Sequence, residues 1–212
     1  MSSSSSFAVN WRTEWKNSRF RIQWFASLLV LVSIALSISH FFNYVQHRDG
    51  IVLDDPVLNA LQPIDLSPFT FSLIYGALLF SIIYLSFYPQ RLLLFIQVYC
   101  LTTLLRMLCI FLVPLNNPPG IIVLQDPFVK IIGYGGQVIT KDLFFSGHVS
   151  TLFLLCLTTN NKILRVILLL ITLTVACFIL VQHVHYTIDV LAAPIFSWIA
   201  WRSVNYFLPV NS

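Results

Sequence analysis

Two short stretches carry the residue types that could do chemistry: Ser146-Gly147-His148 and His185-Tyr186-Thr187-Ile188-Asp189. Each lies at the edge of a long apolar run, in a chain with only 9% charged residues. His185 and Asp189 are four apart, so on a helix one sits above the other. A carboxylate at that spacing can hold one imidazole nitrogen, fix the tautomer and leave the other nitrogen as nucleophile or base. Ser146-Gly147 at a helix start offers backbone N–H groups and the positive end of the dipole, which suit an anion such as phosphate. His148 could then protonate a leaving alkoxide as general acid. The chemistry suggested is phosphoryl transfer on a lipid.

Blander readings compete with this one. A single histidine at a membrane interface is most often merely solvated. An Asp inside a span is different: it costs about 2.5–3.5 kcal/mol at mid-helix and usually marks function. Three such groups converging on one leaflet favour a site. A metal centre of two histidines and one carboxylate is the rival with the same residues. Arg106 lies inside an apolar run and needs a partner or an aqueous cavity. A lipid phosphate, Asp189 and Asp142 all remain open as that partner. His183, two residues before His185, reads as solvated surface before substrate contact, and so do the loop cations Lys130 and Lys141.

The elements that must position these residues are membrane spans. Of 212 residues, 58% are hydrophobic, and the charged share is far below the ~25% of an average soluble domain. No room is left for a soluble domain of ordinary size. The net charge of +4 is spread over several short loops, so nucleic acid is not an expected partner. Cys100, Cys109, Cys156 and Cys177 all lie within apolar runs and read as buried thiols. Residues 1–21 form a tail in which Trp11 and Trp15 would share a helix face above Arg12, Lys16, Arg19 and Arg21. An interfacial helix fits there, as does a merely basic flank.

Residues 22–208 are expected to form an all-α, polytopic bundle of six transmembrane helices. The spans run roughly over Ile22 to Phe42, Pro68 to Tyr88, Leu92 to Val113, Asp142 to Thr159, Ile163 to Val181 and Tyr186 to Leu208. Residues 43–67 are polar and acidic, and 114–141 form a long Pro- and Gly-rich loop. Starting the fourth span at Asp142 places His148 about 9 Å below its mouth. Alternate loops collect Arg12, Lys16, Arg19, Arg21, Arg91, Lys162, Arg165 and Arg202 on one side. The positive-inside rule puts that side, with both termini, in the cytoplasm. Both motif blocks then face the exoplasmic side.

These residues resemble the sphingomyelin synthase branch of the type 2 phosphatidic acid phosphatase (lipid phosphate phosphatase) superfamily. The stretch from Asp142 to His148 is similar to that family's third motif, and His183 to Val190 to its fourth. Arg106 followed by Val113-Pro114 and Pro119-Gly120 is loosely similar to the second. The likeness covers about residues 99–201. It implies six transmembrane helices, an exoplasmic site and headgroup transfer from a glycerophospholipid to a lipid alcohol without a metal or other cofactor. It implies His185 as nucleophile, Asp189 as its partner and His148 as acid/base. Arg106, Asp142, Ser146, Gly147 and Tyr186 are the expected substrate-binding residues. Classical phosphatases of the superfamily carry a Ser-Arg pair where this chain has Phe178-Ile179, which favours the transferase branch. Thr140-Lys141 in place of Cys-Gly, Val149 in place of Thr, and Ala193-Pro194 depart from the branch's pattern.

The expected function is therefore an integral membrane phosphotransferase. It would move phosphocholine or phosphoethanolamine from a phospholipid donor to ceramide or diacylglycerol through a phosphohistidine. The same site using water would be a lipid phosphate phosphatase. A non-catalytic lipid-binding or scrambling protein is the alternative of another class. Donor headgroup, acceptor, membrane and oligomeric state are not readable from the sequence.

Overall fold

A computed structural model describes residues 3–123 and 139–209. Lys130 and the glycines at 133, 135 and 136 lie outside the described residues. Among the described residues eight helices follow one another: α1 (Ser3–Lys16), α2 (Ser18–Gln46), α3 (Pro56–Asn59), α4 (Ser67–Ser86), α5 (Pro89–Leu112), α6 (Gly147–Thr158), α7 (Lys162–Val181) and α8 (Thr187–Phe207). Among the described residues, β structure is limited to one isolated parallel bridge between Ile51 and Leu115.

The helix starts follow local chemistry. Asn17 and Asn161 accept N–H bonds from the first turns of α2 and α7 through their side chains. Proline occupies the first turns of α3, α4 and α5, where its missing N–H costs nothing.

The chain is an integral membrane protein. Helices α2, α4, α5 and α7 are long and apolar enough to cross a bilayer. The two helices that carry the motif blocks are different. Helix α6 has 12 residues, about 18 Å, which is short of a hydrocarbon core of about 30 Å. Helix α8 has 21 residues but carries Asp189, Pro194 and Arg202. The fourth span was expected to start at Asp142; its helix starts five residues later, at Gly147. His148 is accordingly in the first turn of α6 rather than deep within a helix.

Helix α6 is the core of the bundle and packs against α4, α5, α7 and α8. Its Leu152, Leu154 and Leu155 are fully buried. Opposite them α8 presents Ala193, Ser197, Ala200 and Val204, a single face of small and medium residues that lets helices approach closely. The outer surface is apolar: Ile22, Leu29, Leu36, Leu79, Ile163, Leu170, Leu191 and Ile195 are all exposed. In a soluble protein so large an apolar surface would demand a partner, and here lipid is that partner. Cys100 and Cys156 are buried and Cys109 half-buried, whereas Cys177 is exposed on this apolar surface. Burial of all four thiols was expected and does not hold for Cys177.

Each end of the bundle is closed differently. At one end α1 folds back on the chain. Trp11 donates from Nε1 to the carbonyl of Ser86, and Trp11 and Trp15 pack with Phe20 and Trp24. At the other end residues 47–66 pair with the segment after α5. Ile51 donates to Pro114 and accepts from Asn116. A Cβ on Gly50 would lie 2.5 Å from the Leu115 carbonyl carbon, so only glycine fits this close approach. Arg48 reaches under the same segment and donates to the carbonyls of Ile110 and Phe111, which caps the C-terminus of α5 with a cation.

Candidate active site

The candidate site residues gather where the first turns of α6 and α8 meet the last turns of α5. The backbone N–H of Ser146 donates to the carbonyl of Asp189 at 3.1 Å. That bond stitches the two motif blocks together although they are far apart in the chain. It also explains the late start of α6: the N–H of Ser146 is used across the bundle. The carbonyl of Phe145 is used in the same way, accepting from Arg106 Nε at 2.8 Å.

His185 and Asp189 do not share a helix face, because α8 starts at Thr187. Asp189 folds back instead. Its Oδ2 accepts from the backbone N–H of Tyr186 at 3.0 Å and lies 3.4 Å from His185 Nδ1. This is longer than a charge-assisted hydrogen bond of about 2.7–2.9 Å. Both side chains are almost wholly buried, 3% and 0% exposed. Asp189 Oδ1 and the Ser146 hydroxyl are buried with no hydrogen-bond partner among the described residues. A buried polar atom left so costs about 1–3 kcal/mol, the kind of expense a site carries for its substrate.

Arg106 sits six residues before the end of α5. Its Nη2 pairs with Asp142 Oδ1 at 2.6 Å, with side-chain exposures of 12% and 33%. Of the open partners, Asp142 is the one found, and Asp189 is not. The guanidinium lies against Gly147. A Cβ there would be 2.6 Å from Nη1 and 2.7 Å from Cζ. Gly147 is thus the residue that lets a guanidinium lie over the start of α6. His148 is half-buried in that first turn, and its ring packs edge-on to Phe71 of α4 at 6.4 Å.

Other expected residues take different places. Tyr186 is fully buried; its hydroxyl accepts from Leu53 N–H and donates to the Asn116 carbonyl. It ties both closing segments to the head of α8. His183 is not solvated surface: it is 6% exposed, has φ +54°, and places Nδ1 2.8 Å from the Pro119 carbonyl. Lys141 donates from Nζ to the Arg48 carbonyl.

Sequence reading passed over Asp55. Its Oδ2 accepts from the Thr187 N–H at 2.7 Å, and its Oδ1 accepts from the Thr187 hydroxyl and the N–H groups of Val57 and Leu58. One carboxylate therefore caps α3 and holds the start of α8, two residues after His185. Burial pushes the Asp55 carboxyl up, but these four hydrogen bonds outweigh it and hold the group below its ordinary value. The signal was the Asp55-Pro56 pair, a cap residue followed by proline at the first helical position. Gln182 was also passed over. Its side chain accepts from Leu66 and Ser67 and donates to Thr70 and Phe178, which locks α4 to the end of α7.

Residues 141–206 match the family model described as PAP2 superfamily C-terminal. The matched segment contains both motif blocks and Asp142. The match supports the type 2 phosphatidic acid phosphatase superfamily, whose members are usually phosphatases or phosphotransferases acting on lipids. It is a match to the superfamily and not to one branch of it. No curated protein matches the chain.

Proposed function

We propose that the protein is a lipid phosphotransferase that moves a phospho-headgroup from a glycerophospholipid to a lipid alcohol. The observation that carries this reading is the bond from Ser146 N–H to the Asp189 carbonyl. It supports one shared site for His148, His185 and Asp189. Donor phosphate would lie between the Arg106 guanidinium and the first-turn N–H groups of α6, which have no helical acceptors. His185 attacks phosphorus through Nε2 while Asp189 balances the charge growing on the ring. The bond from phosphorus to the diacylglycerol oxygen breaks, and His148 gives that oxygen its proton. His148, now neutral, takes the proton from the incoming hydroxyl, whose oxygen displaces His185 from phosphorus. The almost complete burial of His185 and Asp189 supports a lipid acceptor over bulk water, because a lipid hydroxyl arrives laterally at high effective concentration.

We further propose that the site faces the exoplasm, with both termini in the cytoplasm, on the loop asymmetry in Lys and Arg.

The deciding experiment uses purified protein in liposomes with headgroup-labelled phosphatidylcholine and phosphatidylethanolamine. Ceramide or diacylglycerol is added or withheld. A new labelled phospholipid that depends on the added alcohol is expected, and it should persist with a chelator present. Free phosphocholine or phosphoethanolamine released at one rate either way, with no new phospholipid, would leave a hydrolase. Loss with chelator and recovery with zinc or manganese would make the two histidines and the carboxylate a metal centre.

A further inference from the structure

At the end of the bundle opposite His185, α1 forms one wall of an open cavity of about 370 Å³. It lies between α1, the turn joining α4 to α5, the turn after α6 and the last turn of α8. That volume falls within the ~300–1,000 Å³ of ligand pockets and is far above the ~30 Å³ share of one water. Two half-buried groups of opposite charge line it, Glu14 from α1 and Arg91 from the first turn of α5. They do not pair with each other: among the described residues the ion pairs are Arg106 with Asp142 and His185 with Asp189. Glu14 accepts from Gln90, whose amide steadies it on one wall.

Two opposite charges that line one pocket without pairing select for a ligand that carries both. A plain anion would face Glu14, and a plain cation would face Arg91. The surroundings place this pocket at headgroup depth. Trp11, Trp15 and Trp24 cluster beside it and Tyr88 lines it, the aromatic residues of a membrane interface. We propose that this cavity binds a phosphate–ammonium zwitterion, as carried by a phospholipid headgroup or by free phosphoethanolamine, with phosphate toward Arg91 and ammonium toward Glu14. It is a second site, independent of the chemistry at His185, and α1 is the wall that completes it.

The test uses the full chain in liposomes containing phosphatidylethanolamine or phosphatidylglycerol with a diazirine at the head of the acyl chain. Crosslinked peptides are mapped by mass spectrometry. The zwitterionic probe should label peptides spanning 10–16 or 88–94 at least tenfold more than the anionic probe does. Glu14→Gln should erase that preference, Arg91→Gln should remove labelling by both probes, and Arg91→Lys should restore it. A change in preference between lipids cannot come from loosened packing alone. Competition by millimolar phosphoethanolamine would identify the free zwitterion as a ligand, and its failure would identify the lipid. Equal labelling of those peptides by both probes in the unaltered protein, or labelling indifferent to Glu14→Gln and Arg91→Gln, would overturn the proposal.

Discussion

A methyl group at position 147 would press on the Arg106 guanidinium at 2.6–2.9 Å. The guanidinium is the far end of a flexible side chain, so the fold can yield cheaply. The cost falls on the bonds that hold it, to Asp142 and to the Phe145 carbonyl. Gly147→Ala should therefore lower turnover by about 10²-fold, the effect of an ångström of misplacement, with little change in melting temperature. Headgroup transfer and thermal unfolding on the same sample check this, and unchanged turnover would remove Arg106 from the phosphate site. At Asp189 the expectation is steeper. Asn can still accept from the Tyr186 N–H but cannot balance an imidazolium, so Asp189→Asn should lose about 10⁴-fold in turnover while the fold persists. Retention of more than a tenth of the activity would dismiss Asp189 as the partner of His185. The spacing of His185 and Asp189 was legible because it is local. The route by which they meet was not: the helix starts after His185, and Asp189 reaches back over the turn. The choice of Asp142 over Asp189 for Arg106 is a tertiary fact that no spacing contains.

Helices were legible wherever a long apolar run coincided with a local start signal, as in α2 and α7. The start of α6 was not. Leu143, Phe144 and Phe145 read as helix by hydropathy, but the Phe145 carbonyl and the Ser146 N–H are taken by Arg106 and Asp189 across the bundle. Tertiary bonds unwound what composition would have wound. The acidic stretch 43–67 was legible only as a loop, yet it holds the head of α8 through Asp55. Asp55→Ala removes a helix cap and the bonds to Thr187, which should cost about 1–3 kcal/mol and lower turnover together. Denaturant melts in micelles check the first and headgroup transfer the second. The sign of the pH effect follows from the lowered carboxyl. Its stabilising contribution is complete above the ordinary Asp value of 3.8 and is lost as pH falls below 3.8 through the depressed folded value. Asp55→Asn should therefore flatten the acid limb of stability below pH 3.8. An acid limb identical to that of the unaltered protein would exclude Asp55 as its source.

For the whole molecule, charge separates along the bundle axis. The end holding α1 gathers Arg12, Lys16, Arg19, Arg21, Arg91, Lys162, Arg165 and Arg202. The end holding the candidate site has Arg48 and Lys141 in its described loops, and both are spent on backbone carbonyls. It also carries Asp49, Asp54, Asp55 and Asp65. Cations near span ends are retained in the cytoplasm, so the α1 end should lie there and the site outside. Single cysteines at Val123 and Asn160 test this, since both positions are exposed and lie at opposite ends. Asn160 leaves the α7 cap at Asn161 untouched. Cys177 is replaced first, because it is exposed and would add background. In intact cells an impermeant maleimide should label Val123→Cys, and Asn160→Cys should react only after permeabilisation. The reverse pattern would turn the bundle over. His185 would then draw donor and acceptor from the cytoplasmic leaflet, and the zwitterion pocket would face the exoplasm.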